Sequence, residues 1–426
     1  MQLESFTPLI SHLCYAIKRN PMSRLIAKAI GAFVFSQLIT SVNVTAQNAP
    51  AKKESKPWYE TISLRGYMQI RYNRLLETNP KLKNEQGDKS WGDNGGVSIR
   101  RGRLILSGYV NDRIYFYIQP DFGSSTGTTL QIFQLRDAYV DLSLDKKNEF
   151  RLRIGQSKVP YGFENMQSSQ NRLPLDRADA TNSAVSNERD MGIFFYYAPS
   201  KTRAVFASMV KDNFKGSGDY GVFAFGVYNG QTANKPELNN NLHIVSRLSV
   251  PMKIGSQIIE PGIQAHAGKF VIPTENRSTG VKAIKSFEFN DKRLAGSFIL
   301  YPKPFGIQAE YNVGEGPRYN PAKDSIETRS LAGGYATFSY RIEGKRKDEL
   351  FFPFTRIQSY DGGKKHELDA RTYHVREIES GLEWQFNKYF ELTTSYVFSH
   401  RRFEDNKLKD NNQKGSLLRI QAQINF

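Results

Sequence analysis

The sequence contains a single cysteine, Cys14, close to its start. Once the leader described below is removed, the chain can form no disulfide, hold no metal through thiolate and carry no lipid on an N-terminal cysteine. Long apolar runs are also missing. Mean hydropathy is −0.53, and past the leader no stretch is long enough to cross a membrane as a helix, which excludes a helical membrane protein. It does not exclude a membrane barrel, because half of each barrel strand is polar. Histidine is sparse, and His243, His266, His366, His374 and His400 stand in no nucleophile-elbow or metal-ligand spacing. Neither catalysis, metal nor cofactor is expected, although a barrel hydrolase or an adhesin remains the alternative of another class. Acid is scarce beside base: 42 Asp and Glu against 59 Lys and Arg give a net charge of +17. In an exported chain that excess points to anionic solutes or lipopolysaccharide rather than nucleic acid.

Export is read from the front end. From Met22, Arg24 and Lys28 precede an apolar stretch from Ile30 to Val42, and Val44-Thr45-Ala46 supplies small residues before a cut at Gln47. Residues 1–46 are expected to be a cleaved leader, with 1–21 an upstream start-site extension. Residues 47–57 form a linker rich in Ala, Lys, Glu and Pro, and residues 58–426 read as one domain.

That domain alternates. Leu418, Ile420, Ala422, Ile424 and Phe426 share one face of the final run, and Arg419, Gln421, Gln423 and Asn425 share the other, the pattern of a strand between lipid and water. Strand-like runs recur from Thr61 onward, eighteen in all, Arg203–Lys211 among them. Allowing for split runs, the expected fold is all-β: a transmembrane antiparallel β-barrel of about 16 strands with a water-filled lumen. Alternation turns Arg65, Tyr67, Gln69 and Arg71 inward in the first run, Gln119 and Asp121 in the third, and Arg151 and Arg153 in the fifth. Tyr196, Tyr197, Tyr340, Trp384, Tyr389 and Phe390, near run ends, suit interfacial girdles. The long polar segment Val159–Glu188, with Arg172, Asp176, Arg177 and Asp179, is the candidate for a loop folded into the pore. Glu77–Gly95, Asn229–Asn241, Gly314–Thr328 and Phe403–Gly415 suit extracellular loops, and Asp145–Asn148 a periplasmic turn.

Several segments carry a resemblance. Ser98-Ile99-Arg100-Arg101-Gly102-Arg103-Leu104-Ile105-Leu106-Ser107-Gly108, Leu135-Arg136-Asp137-Ala138-Tyr139-Val140 and Arg153 through Glu164 resemble the phosphate-selective porin O/P family, and the likeness runs from about residue 60 onward. It implies a trimeric outer-membrane channel of about 16 strands whose third long loop narrows an anion-conducting pore. By the same resemblance the strand ending in Phe426 engages the barrel assembly machinery. Arg100 and Arg101 match the paired arginines of the constriction wall, Asp137 the acid that tempers them, and Arg177 the loop arginine. Arg103, Arg151, Arg153 and Lys158 add positive potential. Phosphate and similar small anions are the implied solutes, with a general porin for small hydrophilic solutes as the alternative. Two departures bear on this. Asn165 and Gln170 stand where the phosphate-selective members carry lysines. Arg100 lies on the opposite face of a regular strand from Arg101 and Arg103, so both can reach the lumen only if a bulge at Gly102 or the strand end re-aims one.

Overall fold

The computed structural model describes residues 57–75, 96–126, 129–283 and 286–426. The expected leader, nearly all of the linker and the loop 77–95 lie outside them. Among the described residues there are nineteen strand segments. Three are short (Met252–Ile254, Lys282–Ala283 and Ile342–Glu343), leaving sixteen long strands. We label these β1 Ser63–Leu75, β2 Gly96–Asn111, β3 Ile114–Thr126, β4 Thr129–Ser143, β5 Phe150–Lys158, β6 Arg189–Tyr197, β7 Phe223–Tyr228, β8 His243–Ser249, β9 Gln257–Val271, β10 Glu288–Leu300, β11 Phe305–Asn320, β12 Ser325–Tyr340, β13 Leu350–Gly363, β14 Thr372–Asn387, β15 Phe390–Glu404 and β16 Asn411–Asn425. Each pairs antiparallel with its sequence neighbour, and β16 pairs with β1 to close the barrel, Tyr67 facing Asn425 and Asn73 facing Arg419. Closure leaves no edge, as a spanning sheet requires.

The alternation read in the sequence holds in three dimensions. Leu64 is 69% exposed on the outer wall while Tyr67, Gln69 and Arg71 are fully buried on the inner one. Ile118, Ile154, Phe298 and Ile357 face outward in the same way, giving lipid an apolar wall. Most turns at one rim are short, and two are closed by side chains: Asn111 Oδ1 accepts from the backbone N–H of Arg113 and Ile114, both at 2.9 Å, and Asn387 Oδ1 from Tyr389 at 2.8 Å and Phe390 at 3.0 Å. Asx turns of this kind fix tight hairpins, and in an outer-membrane barrel the rim they occupy is the periplasmic one.

Four expectations are corrected. Arg203–Lys211 belongs to a helix, Ser200–Lys211, because Phe206 and Met209 fall three apart and both bury on one side. In place of the two sequence runs Ile284–Phe289 and Leu294–Tyr301 there is one strand, β10, residues 284 and 285 lying outside the described residues, and these two changes bring eighteen runs to sixteen strands. Gly314–Thr328 and Phe403–Gly415 are mostly strand, with turns of only a few residues between β11 and β12 and between β15 and β16; their polar residues extend the ladder beyond the apolar belt. Tyr196 is not a girdle residue: it is fully buried and faces the lumen beneath Arg153.

Candidate functional site

β5 runs inward at its end. Gly155 adopts φ 126°, and a Cβ there would lie 2.3 Å from the Ala138 carbonyl oxygen, so only glycine allows this approach. Pro160 then removes a ladder donor, and residues 159–188 turn into the barrel, where most of them are buried. Two short helices, α1 Phe163–Met166 and α2 Asp179–Ala184, lie in this loop. Its anchors reach around the whole wall. Lys158 Nζ donates to the carbonyls of Met166 and Gln167 at 2.8 and 2.9 Å, and Tyr161 Oη to Asn312 Oδ1 at 2.8 Å. The N–H groups of Phe163 and Glu164 donate to the Glu310 carboxylate at 2.6 and 2.9 Å. Across the lumen, the Tyr67 hydroxyl meets Ser169 Oγ at 2.7 Å and Gln170 Nε2 donates to Asn425 Oδ1 at 3.1 Å. The segment is the inward-folded constriction loop.

Its acids are consumed in holding it. Asp176 takes Arg71 of β1 at 3.1 Å, Arg419 of β16, and Arg100 at 3.6 Å. Asp179 takes Arg401 of β15 at 3.0 Å and Lys364 at 2.6 Å, while Glu164 meets Arg356 of β13 at 3.4 Å. Burial alone would raise the Asp176 carboxyl, but Arg71 and Arg419 hold it well below the usual carboxylate range. Asp179 is also lowered, by Arg401 and Lys364 against its burial.

Cations are left over. Arg101 is buried, donates to Gln69 Oε1 at 2.8 Å, and has no ion-pair partner among the described residues. Arg172, on the loop, is buried with Nε and Nη1 lacking any hydrogen-bond partner. Arg177 pairs with Glu188, yet Glu188 also serves Arg136 at 3.4 Å and Arg189 at 2.7 Å. Burial, then Arg172 and Arg101, push the Arg177 guanidinium well below its usual range, which records how closely like charges are crowded here. A buried guanidinium without a carboxylate is costly unless an anion visits it.

The remaining sequence-predicted residues are spread along the inner wall, and Arg151, at the start of β5, lies apart from this cluster. Arg100 does reach the lumen, through a bulge at Arg100 itself rather than at Gly102: Gln69 faces Arg101 while Ile70 faces Ile99, so Arg100 is the extra residue, turned inward to Asp176. Arg103 pairs with Asp121 at 2.7 Å. Asp137 accepts from Arg189 Nε at 2.8 Å, so the acid tempering Arg100 is Asp176, and Asp137 tempers a different arginine. Arg153 pairs with Asp141 at 2.7 Å and stacks 3.8 Å over Tyr139; Arg151 pairs with Asp219 at 2.8 Å. Asn165 is an internal brace, its Nδ2 donating to the carbonyls of Tyr161 and Thr181 at 3.1 and 3.0 Å. Arg189 is not singled out by the sequence reading, which places Arg172 in the candidate loop and Arg419 on the water-facing side of the final run; only the partner of Arg419 across the lumen is hidden there.

Beside the loop lies a cavity of about 480 Å³, lined by Arg65, Arg103, Arg153, Arg189 and Lys158, by Tyr117, Tyr139 and Tyr220, and by Ser168, Gln170 and Asn171 of the loop. The sheet register also brings His243, His266 and Asp291 to within 4.8 Å of one another by their ligand atoms, against Tyr161 of the loop, a grouping that sequence spacing conceals. Asp291 is already matched by Arg293 at 2.8 Å and by Lys365.

A closed barrel of sixteen strands, apolar outside and charged inside, with one loop folded across its lumen, defines an outer-membrane porin. The profile of the family described as phosphate-selective porin O and P matches residues 81–426, and the chain belongs to that family. Two solved structures share the fold: the outer membrane channel DcaP of Acinetobacter baumannii, at 14% identity and TM-score 0.53, and Salmonella typhi OmpF in complex with daunomycin, at 11% and 0.52. In each case 86% of this chain and 97% of the other are covered. Curated protein sequences give no match. The protein is therefore an outer-membrane porin, a channel.

Proposed function

We propose that this porin passes small anions, phosphate-like oxyanions among them, down their gradients through the passage beside the constriction loop, and that Arg101, Arg172 and Arg177 form its anion-attracting step. The observation that carries this reading is the imbalance at the loop: its carboxylates are matched by wall cations, whereas Arg101 has no carboxylate partner and Arg172 keeps two unpartnered N–H-bearing nitrogens. Guanidinium stays ionised and presents a planar fork to oxyanions, and cationic side chains at a constriction favour anion entry. Arg103, Arg153 and Arg189, half-neutralised by Asp121, Asp141 and Asp137, bind weakly enough to let the ion leave. Asn165, facing backbone carbonyls, supplies no charge, which favours throughput over retention of phosphate. Residues 1–46 act as the export leader, and the barrel assembles as a homotrimer, after the family pattern.

The test is the double variant Arg101→Ala/Arg172→Ala in planar bilayers. Each charge is worth about 1 kcal/mol at such range and screening, so chloride-over-potassium permeability should fall at least about fivefold, and block by added phosphate should weaken with it. Unchanged selectivity would remove these residues from the mechanism.

A further inference from the structure

The turn between β6 and β7 is unlike the other turns at the periplasmic rim. It holds a helix, α3 Ser200–Lys211, and a following segment to Gly221. Phe206 and Met209 of α3 are 1% and 2% exposed, and Met209 and Phe214 pack in one cluster with Phe163 of the constriction loop, with Ile258 and Ile299 on the inner faces of β9 and β10, and with Tyr301 just past β10. Lys215 then pairs with Glu383 on the inner face of β14 and lies 4.5 Å over the Phe352 ring of β13. β13 and β14 are seven strands from β6 and β7 around a ring of sixteen, so the segment crosses the lumen to the opposite wall.

The constriction loop rests on it. Gln167 Nε2 donates to the Lys215 carbonyl at 2.6 Å and Asn171 Nδ2 to the Gly216 carbonyl at 3.4 Å. Its return stretch is clamped by Asp219, whose two oxygens take Arg151 at 2.8 Å and Arg203 at 2.7 Å. The chain reverses at Gly218 and Gly221, both at positive φ, and Ser217, Gly218, Asp219 and Tyr220 border the same cavity as the loop's Ser168 and Gln170.

From this arrangement we infer that residues 199–221 form a second constriction, entering from the periplasmic side in series with the loop, and that this floor sets the size limit of the pore, with Lys215–Glu383 as its tether. The inference needs only that the protein is a porin; it holds whatever ion the pore prefers. A loop alone would leave the lumen beneath it wide, whereas here the way down is confined to the side of β1–β6.

The experiment uses the full-length barrel, with folding followed by heat-modifiable gel mobility and strand circular dichroism. One variant replaces residues 201–217 by a Gly-Asn turn; another carries Lys215→Cys and Glu383→Cys. In liposome swelling with neutral sugars of increasing size, the shortened variant should admit larger sugars, and its single-channel conductance should rise at least about twofold with ion selectivity little changed. The two cysteines, placed where an ion pair of two long side chains spans the gap, should be bridged by a short bis-maleimide cross-linker in the folded barrel and leave the conductance at its original level. A folded shortened variant with unchanged conductance and size limit would overturn the inference. So would failure of the cysteines to cross-link in a folded barrel, a result that stays readable even where the shortened chain does not fold.

Discussion

Asp176 is the residue on which the constriction turns. One carboxylate, carried by the loop, takes guanidiniums from β1 and β16 and from the bulge in β2, and so ties the loop across the seam where the barrel closes. Breaking a buried pair by removing one partner costs about 3–5 kcal/mol, because the charges left behind stay unmatched. The same geometry fixes a pH dependence. The folded-state carboxyl lies below its ordinary value of 3.8, so the anchoring contributes fully above that value and is lost only as pH falls through the depressed one. The contribution of Asp176 to the anchoring should therefore be constant between about pH 8 and about pH 5, so the excess open-channel noise of Asp176→Asn over the parent should hold across that range and narrow only below the ordinary carboxylate range. An excess that disappears near neutrality would show that Asp176 is not held ionised by its arginines.

Among the elements, β2 shows how far periodicity carries and where it stops. Alternation placed Arg101 and Arg103 on the inner face and Arg100 on the outer, and the strand obeys it except at Arg100, where one additional residue is accommodated between Ile99 and Arg101. Deleting Arg100 restores a regular ladder, so the variant should fold with stability within about 1 kcal/mol of the parent while losing one cation from Asp176. Its anion selectivity should drop slightly; loss of the folded barrel would mean the bulge is structural. The strands were legible because each has lipid on one side and water on the other. The segment 200–211 was not: Val205, Phe206, Met209 and Val210 satisfy strand and helix spacing over so short a stretch, and what selects the helix is burial against β9, β10 and the constriction loop, which no local pattern encodes. The cationic character of the site was likewise readable from inward arginines, but its net charge depends on which carboxylates meet them. Asp176, not the Asp137 that the resemblance implied, meets Arg100, because the loop's path rather than the strand register brings it there.

At the level of the whole molecule, the barrel depends on one close approach at its seam. Gly66 and Phe426 exchange backbone hydrogen bonds at 2.8 and 3.0 Å, and a Cβ on residue 66 would fall 2.7 Å from the Phe426 ring and 2.4 Å from the Arg103 carbonyl oxygen. Gly66→Val should accordingly cut the yield of heat-modifiable, folded barrel severely, and the measure is the band shift between heated and unheated samples. A normal yield would mean that the seam can re-register. With the seam closed, the wall supplies lipid contact, and in the function proposed above the surplus of arginine over carboxylate at the constriction loop sets the sign of the field felt by a passing ion. The reversal potential of the purified, refolded protein in a planar bilayer under a potassium chloride gradient tests that claim most directly. The account predicts a potential of the sign that marks chloride as the more permeant ion; a potential of the opposite sign would contradict it.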